Sequence, residues 1–226
     1  MRACKTPCGR RTGSGDGARR GDRPRARLRP ALGDGELITK PTTADAPILL
    51  VAATAPELCG HDGLACGVGP VEAASATARA LALREFRAVL HIGLAGGRGI
   101  GVGDVVVGSE AVYCDLSAEW PVVDRVTPDP GLVAALRTAL PDAQALPVHT
   151  SAAVGATDAV SRGVVVEAME GFGVLRAAAL AGVPAVEVRA ISNEIGEDDR
   201  SRWDLDAGLA ALEQALPAML AALRAR

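Results

Sequence analysis

Four polar residues stand in apolar text. Glu170 opens a helical stretch after Val166-Glu167-Ala168-Met169, and Arg189, Ser192 and Asn193 end the apolar run that starts at Pro184. A carboxylate at a helix start faces free backbone N–H groups, which stabilise its charge. Side chains at the C-terminal end of a strand stand where open α/β sheets hold ligands. A carboxylate can accept from two hydroxyls at once, and an amide both donates and accepts. The pair therefore suits a sugar joined to a base. Arg189 on a buried strand must be paired if it points inward, and Glu57 or Glu170 could pair it.

The elements that must position these groups are legible from periodicity. Residues 47–53 form a continuous apolar run, as expected of a central strand. A small strand at 63–66 ends in Gly67-Val68-Gly69-Pro70, and Pro70 suits the first turn of a helix. That helix runs to about Glu85, with Val71, Ala74, Ala78 and Leu81 inward. A strand over 87–92 ends in Gly93-Leu94-Ala95-Gly96-Gly97, and another starts at Val105 and continues towards Tyr113. Trp120-Pro121 and Thr127-Pro128 mark 115–128 as a long loop. A helix at 130–140, a strand at 145–149, a loop or short helix at 151–163 and a strand at 164–166 follow. A helix over 170–181 is closed by Gly182, and a strand spans 183–191. The last helix, about 206–224, carries Leu209, Leu212, Leu216, Leu220 and Leu223 at helical spacing. Alternating strands and helices give an α/β fold with a mixed, mostly parallel central sheet flanked by helices.

Composition bounds the function. The chain has 226 residues, 49% hydrophobic but only 2% aromatic, so its core is built from Ala, Val and Leu. Within residues 1–30, ten basic groups stand against Asp16 and Asp22, a net of +8 that leaves −11 on the rest of a chain whose formal charge is −3. Residues 1–46, rich in Arg, Gly and Pro, read as a disordered basic leader; residues 47–226 read as one folded domain. The acidic body argues against nucleic acid as the main partner, and no apolar run of about 18 residues is long enough to span a membrane. Five cysteines in no recognisable framework fit reduced thiols in a cytoplasmic protein. Cys59 with His61 supplies two ligands, which do not make a metal site. No metal and no cofactor is expected.

The chain resembles the nucleoside phosphorylase superfamily over residues 47–224, which implies a three-layer nucleoside phosphorylase-like fold. It is closest to the nucleosidases that cleave methylthioadenosine and S-adenosylhomocysteine, and within that group it is most similar to the futalosine hydrolases of menaquinone biosynthesis. Glu167-Ala168-Met169-Glu170-Gly171-Phe172 carries the resemblance, with Arg189-Ala190-Ile191-Ser192-Asn193 and the charged stretch running to Trp203. The order and spacing of Gly67-Val68-Gly69-Pro70 and Gly93-Leu94-Ala95-Gly96-Gly97 add to it.

The resemblance implies roles. Glu170 clamps the ribose hydroxyls and Met169 packs on the sugar face. Glu57 holds the attacking water, Arg189 lies near that water and Ser192 lies beside the base. Asn193 replaces the Asp with which adenine-cleaving relatives protonate N7. An amide cannot release a proton at neutral pH, but it can hydrogen-bond a departing 6-oxopurine. Ala95, Gly96 and Gly97 let backbone amides approach the ligand, and residues 151–157 form the base wall. Phosphorylases place Arg and a hydroxyl where this chain has His91 and Leu94, so water is the expected nucleophile; Arg98 could still reach an anion. His149 and His61 read as structural or solvated, and Asp104 as a turn residue.

The expected activity is cleavage of futalosine to hypoxanthine and dehypoxanthinylfutalosine by a homo-oligomer, most simply a dimer. A purine nucleoside phosphorylase, an adenine-type nucleosidase and a catalytically impaired nucleoside-binding protein stand as alternatives. The last is suggested by a short link: only nine residues, Leu58 to Cys66, separate Glu57 from Gly67, where family members carry some tens.

Overall fold

Eight strands and four helices alternate among the residues described by the computed structural model, 46–153 and 163–226. The strands are β1 (Ile48–Ala52), β2 (Leu64–Ala65), β3 (Ala88–Gly97), β4 (Val105–Tyr113), β5 (Arg125–Val126), β6 (Gln144–Thr150), β7 (Val166–Ala168) and β8 (Ala185–Glu194). The helices are α1 (Pro70–Leu83), α2 (Pro130–Ala139), α3 (Gly171–Leu180) and α4 (Leu205–Arg224). All described residues belong to one unit, Leu37–Arg226. The segment expected as a disordered leader lies outside the described residues except for Ala46, and so does most of the expected base wall.

Five of the eight strand pairings among the described residues are parallel, and three, β3–β7, β4–β5 and β4–β8, are antiparallel. The order β3-β7-β6-β4 closes into a ring because β8 bonds both β3 and β4. One edge of β3 forks. Ala88–His91 pair β1, Gly96 and Gly97 pair β7, and residues 92–95 between them pair neither. The opposite edge of β3 is bonded to β8 along most of its length.

Three apolar clusters give the layers. Ala95, Val106, Val148, Val166, Ala168 and Ile191 fill the ring. Leu136 of α2 and Leu212, Leu216 and Met219 of α4 cover one face. Ala73 of α1 and Phe172, Leu175 and Ala178 of α3 cover the other. Burying such faces at about 25 cal/mol per Å² is the main force holding the layers together.

Several local expectations are corrected. The inward face of α1 is Ala73 and Thr77, not Val71, which is 72% exposed, nor Ala78. In a helix with Ala at most positions the apolar period has no unique phase. The close approach of α3 selects the small residues: a Cβ on Gly173 would lie 2.5 Å from the Pro70 carbonyl. β3 runs through its glycines to Gly97, and β8 continues past Ile191 to Glu194, because the two keep pairing across a register shift between Ala95 and Gly96. The loop expected over 115–128 contains β5, and the strand expected at 164–166 is β7, two residues later.

Candidate active site

Glu57 lies on a 3-10 turn, Pro56–Leu58, directly after β1, and its carboxylate reaches into the fork of β3. Oε2 accepts from the Thr54 backbone N–H (2.8 Å) and hydroxyl (2.7 Å). Oε1 accepts from the Leu94 N–H at 3.0 Å, a donor left over because that stretch of β3 has neither β1 nor β7 beside it. Gly93 makes the approach possible, since a Cβ there would lie 2.9 Å from Oε1 and against the Arg189 guanidinium.

Glu170 is the N-cap residue of α3, yet its side chain does not cap that helix. This corrects the expectation of a carboxylate on its own helix start. Oε1 accepts from the Gly69 N–H (3.1 Å), the N-cap of α1, and Oε2 lies 3.5 Å from Arg189 Nη1. The free N–H of Phe172 in α3 goes instead to Thr150 Oγ1 at 2.8 Å. Gly69 holds the turn with φ of 96°, which favours glycine.

Arg189 is fully buried and binds the two halves of the site. Nε donates to Glu187 Oε1 (2.7 Å), Nη1 to the Leu94 carbonyl (3.3 Å) and Nη2 to His91 Nε2. His91 Nδ1 then donates to the Val51 carbonyl (3.1 Å), which makes its ring neutral. Burial, reinforced by the Arg189 charge, holds the His91 pKa well below its ordinary value. Burial works against the Arg189 charge, but Glu187 and Glu170 outweigh it and keep its pKa raised. Burial also raises the Glu187 pKa against the pull of Arg189. Glu187 Oε2 has no hydrogen-bond partner, and the carboxyl lies against Gly171.

Glu57, Glu170, Asn193, Ser192, Met169 and the Ala95-Gly96 backbone line one cavity of about 380 Å³. Arg189 does not line it; it stands behind Glu170, 3.5 Å from its Oε2, and donates to the carbonyl of Leu94, the residue whose N–H meets Glu57. The Ser192 hydroxyl donates to Asn193 Oδ1 (2.9 Å), and Asn193 Nδ2 donates to the Glu194 carbonyl (3.1 Å). The amide is thereby oriented with one N–H still available to a ligand. Val68, Trp203, Leu205 and Leu209 supply apolar wall. Glu167, which the sequence places in the motif without a role, also lines the cavity; burial and then Asp115 raise its pKa.

The remaining candidates fall elsewhere. His61 Nδ1 bonds the Cys59 carbonyl (3.0 Å), and His149 does not line the cavity. Asp104 accepts from the Gly101 N–H (3.0 Å) in a turn. Cys66 is a buried thiol whose pKa is pushed up to about 11 by burial and by Glu170. Among the described residues no group of three or more His, Cys, Asp or Glu could hold a metal ion, and no helix is long and apolar enough to cross a membrane. Glu187 and Thr54 were missed because only the folded chain brings them to Arg189 and Glu57.

A forked β3 beside a closed ring, with three glutamates sharing a cavity, defines a class: the phosphorylase superfamily profile matches residues 63–225, and the chain belongs to that family. Solved structures share this fold. They include an S-adenosylhomocysteine nucleosidase from Streptococcus pyogenes in complex with 5-methylthiotubericidin (TM-score 0.71, 22% identity, 81% of this chain and 98% of that one). A futalosine hydrolase mutant of Helicobacter pylori matches with TM-score 0.70 and 16% identity over 78% of this chain and 99% of that one.

Sequence relatives narrow the family to the futalosine hydrolases. The futalosine hydrolase of Acidothermus cellulolyticus is 40% identical over 186 residues, 71% of this chain and 75% of the relative. That of Streptomyces coelicolor is 38% identical over 181 residues, 70% and 77% of the two chains. That of Thermus thermophilus is 31% identical over 221 residues, 82% and 95%.

Proposed function

We infer that the chain is an N-ribosyl hydrolase that cleaves futalosine to hypoxanthine and dehypoxanthinylfutalosine, a step of menaquinone biosynthesis. The observation that carries the chemistry is the convergence of Glu57, Glu170 and Asn193, from three separate elements, on one cavity. Water adds across the bond between the sugar's anomeric carbon and N9. Its hydroxyl goes to carbon and its proton ends on the base. Such reactions pass through an oxocarbenium-like state, so the nucleophile needs mainly positioning and a late proton acceptor. Glu57, oriented by Thr54 and Leu94, takes both tasks. Glu170 accepts from the ribose hydroxyls while Gly69 and Arg189 hold it still. Met169 supports the sugar face. Asn193 donates to the departing purine, and Ser192 fixes its amide.

Water is favoured over phosphate by what the candidate anion groups already do. His91 is held between Val51 and Arg189, and the Leu94 N–H is given to Glu57. Incubation with futalosine, inosine and methylthioadenosine, with and without phosphate, tests the reading. Free hypoxanthine from futalosine without phosphate is expected; strict phosphate dependence would make the protein a phosphorylase. A homodimer is part of the same reading, supported by Val68 and Leu205, 57% and 47% exposed at the cavity. Light scattering after size exclusion is expected to give twice the chain mass; the mass of a single chain would rule it out.

A further inference from the structure

Gly96 is the register partner of two residues at once: Asn193 on β8 and Glu167 on β7. Register partners place their side chains on the same face of a sheet. Asn193 and Glu167 therefore face the same side, separated by a residue with no side chain. Adjacent strands are about 4.8 Å apart, so the two Cα atoms stand roughly 10 Å from each other across that bare floor. Allowing about 3 Å for each hydrogen bond, this gap suits a flat heterocycle. A Cβ on Gly96 would lie 3.1 Å from Asn193 Nδ2, so the floor is open only because it is glycine. All three residues line the cavity.

On the reading that a purine is released here, one edge of the base meets Asn193 and another faces β7. A 6-oxopurine carries a donor at N1, an N–H. A 6-aminopurine carries a lone pair at that atom. A carboxylate accepts and cannot donate. We propose that Glu167 accepts the N1–H of the purine and is the residue that selects a 6-oxopurine over a 6-aminopurine. The role is separate from that of Asn193, which meets the leaving-group edge. Glu167 has the burial this needs: half-buried and partly desolvated, it loses more by facing a lone pair than a solvated carboxylate would.

The test is a comparison of wild type, Glu167→Gln and Glu167→Met on futalosine and on its adenine counterpart with the same 5′ group. Methionine keeps the length and removes the acceptor, so kcat/KM for futalosine is expected to fall roughly 10- to 100-fold, with little change in the thermal midpoint. Glutamine can turn an N–H towards the adenine lone pair, so the hypoxanthine/adenine ratio is expected to narrow about tenfold or more. An unmoved ratio in both variants overturns the proposal. The function reading fails separately, if wild type releases no base from futalosine. In that case hypoxanthine and adenine binding, measured by calorimetry on the same three proteins, still tests Glu167: a preference that the variants keep overturns the assignment, and one they lose upholds it.

Discussion

Glu57 and Glu170 are held in the cavity by different devices, and the difference sets what substitution does. Glu57 has three donors from Thr54 and Leu94 fixing both oxygens. A Glu57→Gln amide would oppose an N–H to at least one of them and lose the proton acceptor. Turnover of futalosine is expected to fall by about 10²–10⁴ with the fold intact, measured as hypoxanthine release; wild-type turnover would remove Glu57 from the mechanism. Asn193→Asp restores a group that can protonate N7. The hypoxanthine/adenine ratio is expected to fall by roughly 10- to 100-fold, and an unmoved ratio would defeat the leaving-group argument. Glu170 and Asn193 were legible in the sequence because polarity there interrupts apolar runs. Glu187 was not. In Val186-Glu187-Val188 it reads as the outward residue of an alternating strand, whereas β8 is buried along both faces and its partner is two residues along the same strand.

At the scale of elements, the glycines decide how closely pieces meet. Gly93→Ala would drive a Cβ into the Arg189 guanidinium and to within 2.9 Å of Glu57 Oε1. Activity is expected to be lost, with destabilisation of about 1–3 kcal/mol by urea titration. Gly173→Ala presses on the Pro70 carbonyl between α1 and α3, one residue from the Gly69 N–H that holds Glu170 and two from Val68 of the cavity wall. A similar loss of stability is expected there, with a higher KM for futalosine as the Glu170 clamp shifts. The helices and long strands were readable from apolar periodicity. The extent of β3 was not, because Gly-Leu-Ala-Gly-Gly carries turn chemistry by composition, and only pairing with β7 and β8 keeps it extended. The face of α1 was misjudged for the related reason that alanine leaves the phase to whatever packs on it.

For the whole molecule, buried ionisable groups set the pH response. The folded pKa of His91 lies well below its ordinary 6.5, so below that pH the unfolded chain takes up a proton that the folded one refuses. Its contribution makes stability fall as pH drops below 6.5 and leaves it level above. Glu187, raised from 4.5, acts with the opposite sign: its contribution is present at low pH and is lost as pH rises through its folded value. His91→Gln is expected to flatten the acid side of the curve in urea unfolding at a series of pH values; an unchanged slope would mean that His91 is protonated in the fold. The closed ring could not be read from the chain, since it depends on β8 meeting β4 antiparallel across the molecule, and no local pattern encodes that. The ring has a consequence in time. β3 and β8 are bonded on both sides over part of their length, so their amides are expected to be among the last to exchange with deuterium, at close to the free energy of global unfolding. Gly96, the floor beside Asn193, is bonded by both β7 and β8 and belongs to that slow-opening part, while Glu57 stands on a short turn outside the ring and can relax without breaking it. The enzyme would keep the floor of its cavity on its most permanent surface and let the water-side carboxylate adjust from one turnover to the next.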